Sequence, residues 1–374
     1  MPDFARWPLW ANAAVFLAAA AVVWAAGSRL ARYVDEIADR TGLGQAFAGL
    51  LLLGGITSLP EIAVSVTAAL DGEAALAVNN LFGSIAAQVA ILALADALIG
   101  REALTSVVVE PVVLLQGALN VLLLTFAAMA ITSGDVALGP VGAWSTFLLG
   151  AYLVSVWALS GYEGRVTWVA RPAPAEGEGE DGPPEAERAG SDERAGPDER
   201  EEDRRRDGTG AASLSGLVPR TAAAAVCILV AGWLLSETGS AAAAQSGLGS
   251  AFFGATFLAV ATSLPEISTV VGAVRLKRYE MALGDIFGTN LFNAALVFVI
   301  DALAAGPPVL ARVGAFSAFG ALLGSVLTAL FMAGVIERRN RTVLRMGWDS
   351  LAALVAYAAG VAVLYALRDA GTGG

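Results

Sequence analysis

Two glutamates stand in the same local sequence in two distant parts of this 374-residue chain. The run Thr-Ser-Leu-Pro-Glu-Ile contains Glu61 and occurs again around Glu266, both times within a long apolar stretch. Proline lacks the N–H that bonds the carbonyl four residues earlier, so each copy predicts a broken helical turn with a free carbonyl oxygen. We expect the two carboxylates to face each other and share a cation, because an isolated charge inside a membrane span costs about 2.5–3.5 kcal/mol or more. The hydroxyls that precede the two glutamates belong to Thr57, Ser58, Thr262 and Ser263.

A second polar set follows each glutamate at the same distance. Ser84 and Thr289 lie 23 residues after the glutamates, and the amides of Gln88 and Asn293 follow one helical turn later on the same face. A glycine precedes each hydroxyl residue and predicts a close approach of two helices. With the two carboxylates, these neutral oxygens supply the roughly six to eight hard ligands that Ca²⁺ prefers, at a net ligand charge of about −2. The two glycines are Gly83 and Gly288.

Other acids fall outside this pattern. Asp285 aligns with Asn80 of the first copy, and we expect it either to line an inner vestibule or to be a solvated acid at a helix start. Asp96, Asp301 and Glu110 fall at the ends of predicted spans, and we expect all three to lie at the membrane interface.

The composition excludes several classes of protein. Apolar residues make up 56% of the chain, charged residues only 15%, and the mean hydropathy is +0.66, which excludes a soluble globular enzyme. The chain has no histidine and a single cysteine, Cys227, so a metal site here must be built from oxygen. A net charge of −11 argues against nucleic acid as a partner. The partners that the sequence predicts are inorganic cations and the lipid bilayer, with no cofactor and no obligatory protein partner.

The chain is predicted to be an all-α membrane protein with ten transmembrane helices. Each apolar stretch approaches or exceeds the roughly 20 residues that cross a bilayer. The stretches cover 8–27, 44–70, 74–99, 107–131, 138–160, 219–237, 248–274, 280–304, 309–335 and 348–367.

The two glutamates belong to an internal repeat. Residues 42–96 align without a gap on residues 247–301 when the chain is shifted by 205 positions, with 20 identities in 55 positions. Five predicted spans separate the copies, and because that number is odd the copies enter the membrane from opposite sides. Two inverted five-helix repeats with broken helices at the midplane are typical of secondary transporters, whose substrate site forms where the repeats meet.

The predicted organisation is a first repeat over 1–165, a linker over 166–218 and a second repeat over 219–374. Residues 171–215 are rich in Pro, Gly, Glu, Asp and Arg, a composition typical of a disordered tether. Alternate short loops carry eleven basic residues on one side and three on the other, which predicts a plasma (inner) membrane protein with the linker cytoplasmic and both termini outside. The eleven are Arg29, Arg32, Arg40, Arg101, Arg275, Lys277, Arg278, Arg338, Arg339, Arg341 and Arg345, against Arg6, Arg312 and Arg368.

These residues together make the chain resemble the calcium/cation antiporter superfamily, and within it the prokaryotic sodium/calcium exchanger branch. The repeated Thr-Ser-Leu-Pro-Glu, with Asn-Leu-Phe-Gly-Ser at 80–84 and Asp-Ile-Phe-Gly-Thr-Asn at 285–290, is similar to the two α-repeats of that family. The resemblance implies a ten-helix antiporter that exports Ca²⁺ against an inward Na⁺ or H⁺ gradient by alternating access. It implies that Glu61 and Glu266 are the central ligands of Ca²⁺ and Na⁺, with the hydroxyls of both polar sets around them. It further implies outer Na⁺ sites at the carbonyls of Gly54 and Ala259.

The chain departs from the family pattern at several ligand positions. Ile85 and Gln88 stand where asparagines are usual, Asn293 stands where an aspartate is frequent, and Asp285 stands where asparagine is usual. The hydroxyls in both repeats favour sodium-coupled Ca²⁺ export. The alternatives are proton-coupled export of Ca²⁺ or another divalent cation and then Na⁺/H⁺ exchange. The sequence does not favour an enzyme, because the Gly-x-Gly-Asp motif and the Tyr-Asp pair of intramembrane aspartyl proteases are absent. A channel is disfavoured by the inverted repeats.

Overall fold

A computed structural model describes residues 2–41, 57–99, 103–107, 111–160, 214–337, 342–343 and 345–368. The chain is mostly helical, as predicted. The first half contains α1 Leu9–Thr41, α2 Leu59–Leu70, α3 Ala74–Ile99, α4 Leu104–Val107, α5 Pro111–Ser133 and α6 Ala143–Ser160. Between the last two helices lies a hairpin of β1 Ala137–Leu138 and β2 Val141–Gly142.

The second half repeats this order of elements. It contains α7 Leu214–Ser246, α8 Ser250–Phe253, a π-helical stretch Gly254–Leu258, α9 Ala259–Thr262, α10 Leu264–Arg275, α11 Tyr279–Leu303, α12 Val309–Arg312, α13 Ala315–Glu337 and α14 Trp348–Leu367. A second hairpin, of β3 Thr342–Val343 and β4 Met346–Gly347, precedes α14. Neither two-residue hairpin was predicted, because each lies between strongly apolar helices and is too short for strand periodicity to appear.

Equivalent elements of the two halves lie 205 residues apart along the whole described chain. The long helices α1 and α7 both have 33 residues, and α2 and α10 both have 12. The start of α4 and the start of α12, like the two hairpins, also keep this spacing. The structural repeat is therefore longer than the 55 aligned positions.

Eight helices in the described part of the chain are long and apolar enough to cross a membrane. A bent pair, Ser250–Thr262 with Leu264–Arg275, makes a ninth span with an angle of 47° at its break. The predicted span at 44–70 falls partly outside the described residues, which include only its end as α2. Helix α7 begins at Leu214, inside the predicted linker, and residues 161–213 lie outside the described residues.

Two helices contact the glutamate-bearing helices α2 and α10 at equivalent glycines. Gly27 of α1 packs against Pro265, and Gly232 of α7 packs against Ala63, so closely that a Cβ at either glycine would overlap its neighbour. Small residues at such contacts let helix backbones approach within a bilayer, where van der Waals packing drives association. Glycine therefore places α1 and α7 directly on the helices that carry the two glutamates.

A buried aspartate near the end of α3 forms a hydrogen bond with the backbone of the opposite half. One carboxylate oxygen of Asp96 accepts a hydrogen bond from the N–H of Leu104 at 2.6 Å, at the start of α4. The other accepts from the N–H of Gly347 in β4 at 2.7 Å. Asp96 lies close to the end of α3, as predicted, but it is fully buried within the protein, which the sequence did not predict.

The equivalent aspartate near the end of α11 forms the same kind of hydrogen bonds. Asp301 accepts hydrogen bonds from the N–H of Val309 at 2.6 Å and from the N–H of Gly142 at 2.5 Å. The hydroxyl of Ser145 donates a further bond at 2.5 Å. Asp301 also lies close to the end of its helix, as predicted, and it is only 2% exposed, because backbone donors satisfy its charge within the protein. Glu110 lies outside the described residues.

Candidate cation site between the two halves

Both glutamates lie in the first turn of a helix that starts at a serine. Ser58 precedes α2 with φ −78° and ψ 6°, and Ser263 precedes α10 with φ −83° and ψ 10°. Proline follows in the first turn of each helix, where its fixed φ suits the helix and its missing N–H costs nothing. A carboxylate in the first turn is stabilised by the helix dipole. The repeated sequence therefore builds the same acidic helix start twice.

The chain before Ser263 is bent and irregular. The π-helical stretch Gly254–Leu258 leads into α9, and the axis turns by 47° before α10. The carbonyl oxygen of Ala259 lies 3.1 Å from the Ser263 N–H and 3.2 Å from the Thr262 hydroxyl. The Ser84 hydroxyl approaches the same carbonyl at 3.4 Å. The break predicted from Pro265 is present, and it brings a carbonyl and two hydroxyls together.

One face of α3 supplies polar groups to this break. The Ser84 hydroxyl lies 3.2 Å from the Thr262 hydroxyl, and the Thr262 hydroxyl donates to Oδ1 of Asn80 at 3.4 Å. One turn further, the Gln88 amide donates to the Ser263 hydroxyl at 3.2 Å. The spacing of four residues along α3 places the three side chains on one face, as predicted for the last two.

Glycine allows α3 to approach this break backbone to backbone. A Cβ at Gly83 would overlap the backbone of Ala255, and a Cβ at Gly254 would lie 2.6 Å from the carbonyl oxygen of Leu76. The predicted close approach is confirmed for Gly83. At Gly288, by contrast, no atom of the described residues lies within 4 Å of such a Cβ.

The two glutamate carboxylates are buried and close enough for their charges to interact. The Thr262 hydroxyl lies beside the Glu61 carboxylate. Even so, none of the four carboxylate oxygens of Glu61 and Glu266 has a hydrogen-bond donor at suitable distance and angle among the described residues. Neither forms a salt bridge with a described lysine or arginine. Two buried acids without donors are costly unless protons or cations neutralise them.

The matching face of α11 is also polar and buried. Thr289 and Asn293 are fully buried, and none of their side-chain polar atoms has a hydrogen-bond partner among the described residues. Asp285, one turn earlier, is 9% exposed, so the interpretation as a solvated helix-start acid was wrong. The helix packs against α2, which carries Glu61.

For the remaining predicted ligands the structure describes only part of the set. Thr57 and Ser58 are buried directly before α2, and Gly54 lies outside the described residues. Within the described part of the chain, no three acidic or cysteine side chains come together as a metal-binding cluster. Glu61 and Glu266 are therefore the central carboxylates of the candidate site, with neutral oxygens near them.

Three polar residues near the site were not predicted as part of it. Asn80 and Asn290 lie on the same helices as the predicted amides, and Thr269 follows Glu266 by less than one turn. The four-residue spacing of Asn80, Ser84 and Gln88 was a signal available in the sequence. Thr269 gave no such signal, because hydroxyls in membrane helices usually bond their own backbone.

Comparison with known proteins identifies the class. The family model described as sodium/calcium exchanger protein matches residues 11–161 and 220–366, most of the chain. The chain belongs to this family, which confirms the family inferred from its repeated motif. It is a multi-pass membrane protein and a cation antiporter of the Na⁺/Ca²⁺ exchanger type, not an enzyme.

Individual relatives are distant. The chain is 27% identical over 297 residues to CaxA of Alkalimonas amylolytica, a protein assigned as an antiporter, covering 76% of this chain and 81% of the relative. It is 42% identical to the inner membrane protein YrbG of Escherichia coli (strain K12), over 50 residues that cover 13% of this chain and 15% of YrbG.

Solved structures show the same fold. The sodium-calcium exchanger NCX_Mj soaked with 100 mM Na⁺ and 10 mM Sr²⁺ superposes with a TM-score of 0.58 at 16% identity, covering 95% of this chain and 99% of the exchanger. The same exchanger soaked with 2.5 mM Na⁺ and 0.1 mM Ca²⁺ gives a TM-score of 0.56 at 15% identity, with coverages of 94% and 97%.

Proposed function

We propose that this protein exports Ca²⁺ in exchange for Na⁺ by alternating access, with Glu61 and Glu266 sharing the transported cation. The observation that carries the proposal is the pair of buried, interacting carboxylates without a described hydrogen-bond donor. A cation between them would neutralise the charge that burial makes unfavourable. Exchange of that cation for others then follows from competition for the same oxygens.

The neutral oxygens around the pair suit Ca²⁺ and Na⁺. The hydroxyls of Ser84 and Thr262 and the carbonyl of Ala259 form a connected cluster beside Glu61. The hydroxyl of the adjacent Ser263 accepts a hydrogen bond from Gln88. We assign the equivalent positions around Glu266 to Thr57, Ser58 and Thr289. Hydroxyl, carbonyl and carboxylate oxygens are the ligands of hard cations, and Ca²⁺ accepts six to eight of them in flexible geometry. Gln88, Asn293 and the carbonyl of Gly54 complete the proposed ligand set.

The contacts of the two aspartates support an inverted arrangement of the halves. Asp96 places the end of α3 beside β4, and Asp301 places the end of α11 beside β2. Helix α5 starts near the end of α3 and runs about 35 Å to the hairpin that contains β2. We infer from this length that the ends of α3 and α11 lie at opposite ends of α5, as two inverted five-helix repeats require. With the span at 44–70, the proposed total is ten helices, organised as repeats 1–165 and 219–374 around the linker 166–218.

The proposed orientation places the basic loops in the cytoplasm. The side chain of Gln245, at the end of α7, donates to the carbonyls of Ala5 and Trp7, so the N-terminal turn lies on the same side as that helix end. We place this side outside, with the C-terminus. The linker 166–218 lies on the opposite, cytoplasmic side. The protein then belongs in the plasma (inner) membrane.

Flux measurement distinguishes the coupling ions. We expect proteoliposomes loaded with Na⁺ to take up 45Ca²⁺, and vesicles with only an imposed pH gradient to take up none. Uptake driven by the pH gradient alone would replace the proposal with proton-coupled export. If neither gradient drives 45Ca²⁺ uptake, the transported cation is a different one. Mn²⁺ uptake and Na⁺/H⁺ exchange are then the next assays. Uptake without any counter-ion would indicate a channel.

A further inference from the structure

A third carboxylate lies beside Glu266 and is held there by a threonine. The hydroxyl of Thr269, on α10, lies 2.5 Å from Oδ2 of Asp285 on α11. The same hydroxyl lies 3.0 Å from the backbone carbonyl of Glu266. One threonine thus fixes the Asp285 carboxylate against the turn that carries the central glutamate.

Threonine hydroxyls lie near this pair of acids. Asp285 and Glu266 are close enough for their charges to interact, and the Glu266 oxygens have no donor among the described residues. Thr289, one turn after Asp285 on α11, is fully buried, and its hydroxyl has no described partner either. Two carboxylates and two hydroxyls at one place form a hard oxygen set that suits a cation.

The first half lacks this arrangement. The residue equivalent to Asp285 is Asn80, whose amide oxygen accepts a hydrogen bond from Thr262. The residue equivalent to Thr269 is Val64, which is apolar and buried. The extra charge therefore lies on one side of the central pair and has no counterpart on the other.

The side on which it lies follows from the course of α10. Helix α10 runs from the break at Ser263 to Arg275. Thr269 therefore lies nearly one helical turn closer than Glu266 to the basic turn 275–278. Asp285 lies near the start of α11, directly after that turn. The acid thus lies between Glu266 and the side that we place in the cytoplasm.

We propose that Asp285 and Glu266 form a cytoplasmic subsite that binds Ca²⁺ before it reaches the central pair. This rests on the proposed function, and it makes Asp285 a residue that sets cation affinity on one side of the membrane only. The oxygens of Thr269 and Thr289 complete the subsite. On the opposite side of the central pair, the equivalent residue is Asn80, whose amide carries no charge.

The test compares Asp285→Asn with its mirror variant Asn80→Asp on the two faces of the membrane. In inside-out vesicles loaded with Na⁺, Asp285→Asn raises the Ca²⁺ concentration for half-maximal uptake by about 10- to 100-fold, with the maximal rate retained. In right-side-out vesicles the half-maximal concentration stays at the wild-type value. Asn80→Asp instead lowers the value measured from outside. An unchanged cytoplasmic value, or an equal change at both faces, overturns the proposal.

A binding measurement separates this proposal from the proposed function. Ca²⁺ raises the unfolding temperature of purified wild-type protein, because a ligand that binds only the folded state stabilises it. In Asp285→Asn the same rise requires more Ca²⁺, and a wild-type response in this variant refutes the subsite even if no flux is detected. If Glu61→Gln retains both the flux and the Ca²⁺-dependent rise in unfolding temperature, the central pair is refuted instead. Should Asp285→Asn not fold, Thr269→Val keeps the charge but releases it from α10, and it raises the cytoplasmic value as well.

Discussion

Asp96 and Asp301 each accept a hydrogen bond from a backbone N–H of the opposite half, and these two N–H groups, like the aspartates themselves, are 205 residues apart. Each aspartate also accepts the first N–H of a four-residue helix, at Leu104 and at Val309. Both α3 and α11 carry proposed cation ligands near their centres and are held in place at their ends. The carboxylates thus position the site from a distance.

Replacing either aspartate by asparagine should destabilise the protein. In Asp96→Asn and Asp301→Asn an amide NH₂ replaces one acceptor that now faces a backbone N–H, leaving a buried donor without a partner. We expect a loss of about 1–3 kcal/mol for each variant, measured as a lower unfolding temperature in detergent. Asp3→Asn is the control, since Asp3 forms an exposed ion pair with Arg6 that contributes little. Equal unfolding temperatures for all three variants would contradict the structural role.

Neutralising either central glutamate should abolish exchange without unfolding the protein. Glu61→Gln and Glu266→Gln keep the shape of the side chain but remove the charge that binds the cation. We expect no Na⁺-dependent 45Ca²⁺ uptake in either variant, while both elute as wild type in size-exclusion chromatography. Glu73→Gln, at the half-exposed start of α3, should transport normally. Normal flux in a central variant would remove the pair from the mechanism.

The hydroxyl of Thr262 should matter more than that of Thr256 on the same bent span. Thr262 contacts Ser84, Asn80 and the Ala259 carbonyl. Among the described residues, Thr256 donates only to the carbonyl of Phe252, four residues earlier. Thr262→Val should raise the Ca²⁺ concentration for half-maximal uptake about tenfold or more. Thr256→Val should leave it unchanged. Similar values for the two variants would show that the hydroxyl cluster does not bind the ion.

The linker should be dispensable for transport. Its composition cannot bury enough apolar surface to offset the entropy of ordering. Replacing residues 171–210 with a Gly/Ser segment of equal length should therefore preserve the rate and Ca²⁺ dependence of uptake in proteoliposomes. A large loss of rate, with the protein still correctly inserted, would assign the segment a regulatory or docking role.

The sequence predicted the local features of the site and missed those that depend on distant contacts. The break at Ser263 follows from Pro265, and the polar face of α3 follows from helical spacing, so both were accessible from neighbouring residues. The predicted spans at 74–99 and 280–304 agree with α3 and α11 to within one residue.

The errors concern charges whose partners are remote in sequence. The burial of Asp96 was not predicted, because one of its two donors, the N–H of Gly347, lies 251 residues away. Asp285 was left between two interpretations because its contact with Thr269 depends on how α10 and α11 pack. The burial of Asp96 and Asp285 could therefore be recognised only from the fold.

The segment from α2 to β2 and the equivalent segment from α10 to β4 have the same number of residues, although most of their side chains differ. Surface connections usually tolerate insertions, but those after Asp96 and Asp301 must return a backbone N–H to a buried carboxylate within eight residues. An added residue there would pull a donor from its acceptor. The connection from Ser160 to Leu214 has no counterpart elsewhere in the chain and so no such length restriction. The protein should therefore accept a cut at this connection and assemble from two separately translated halves.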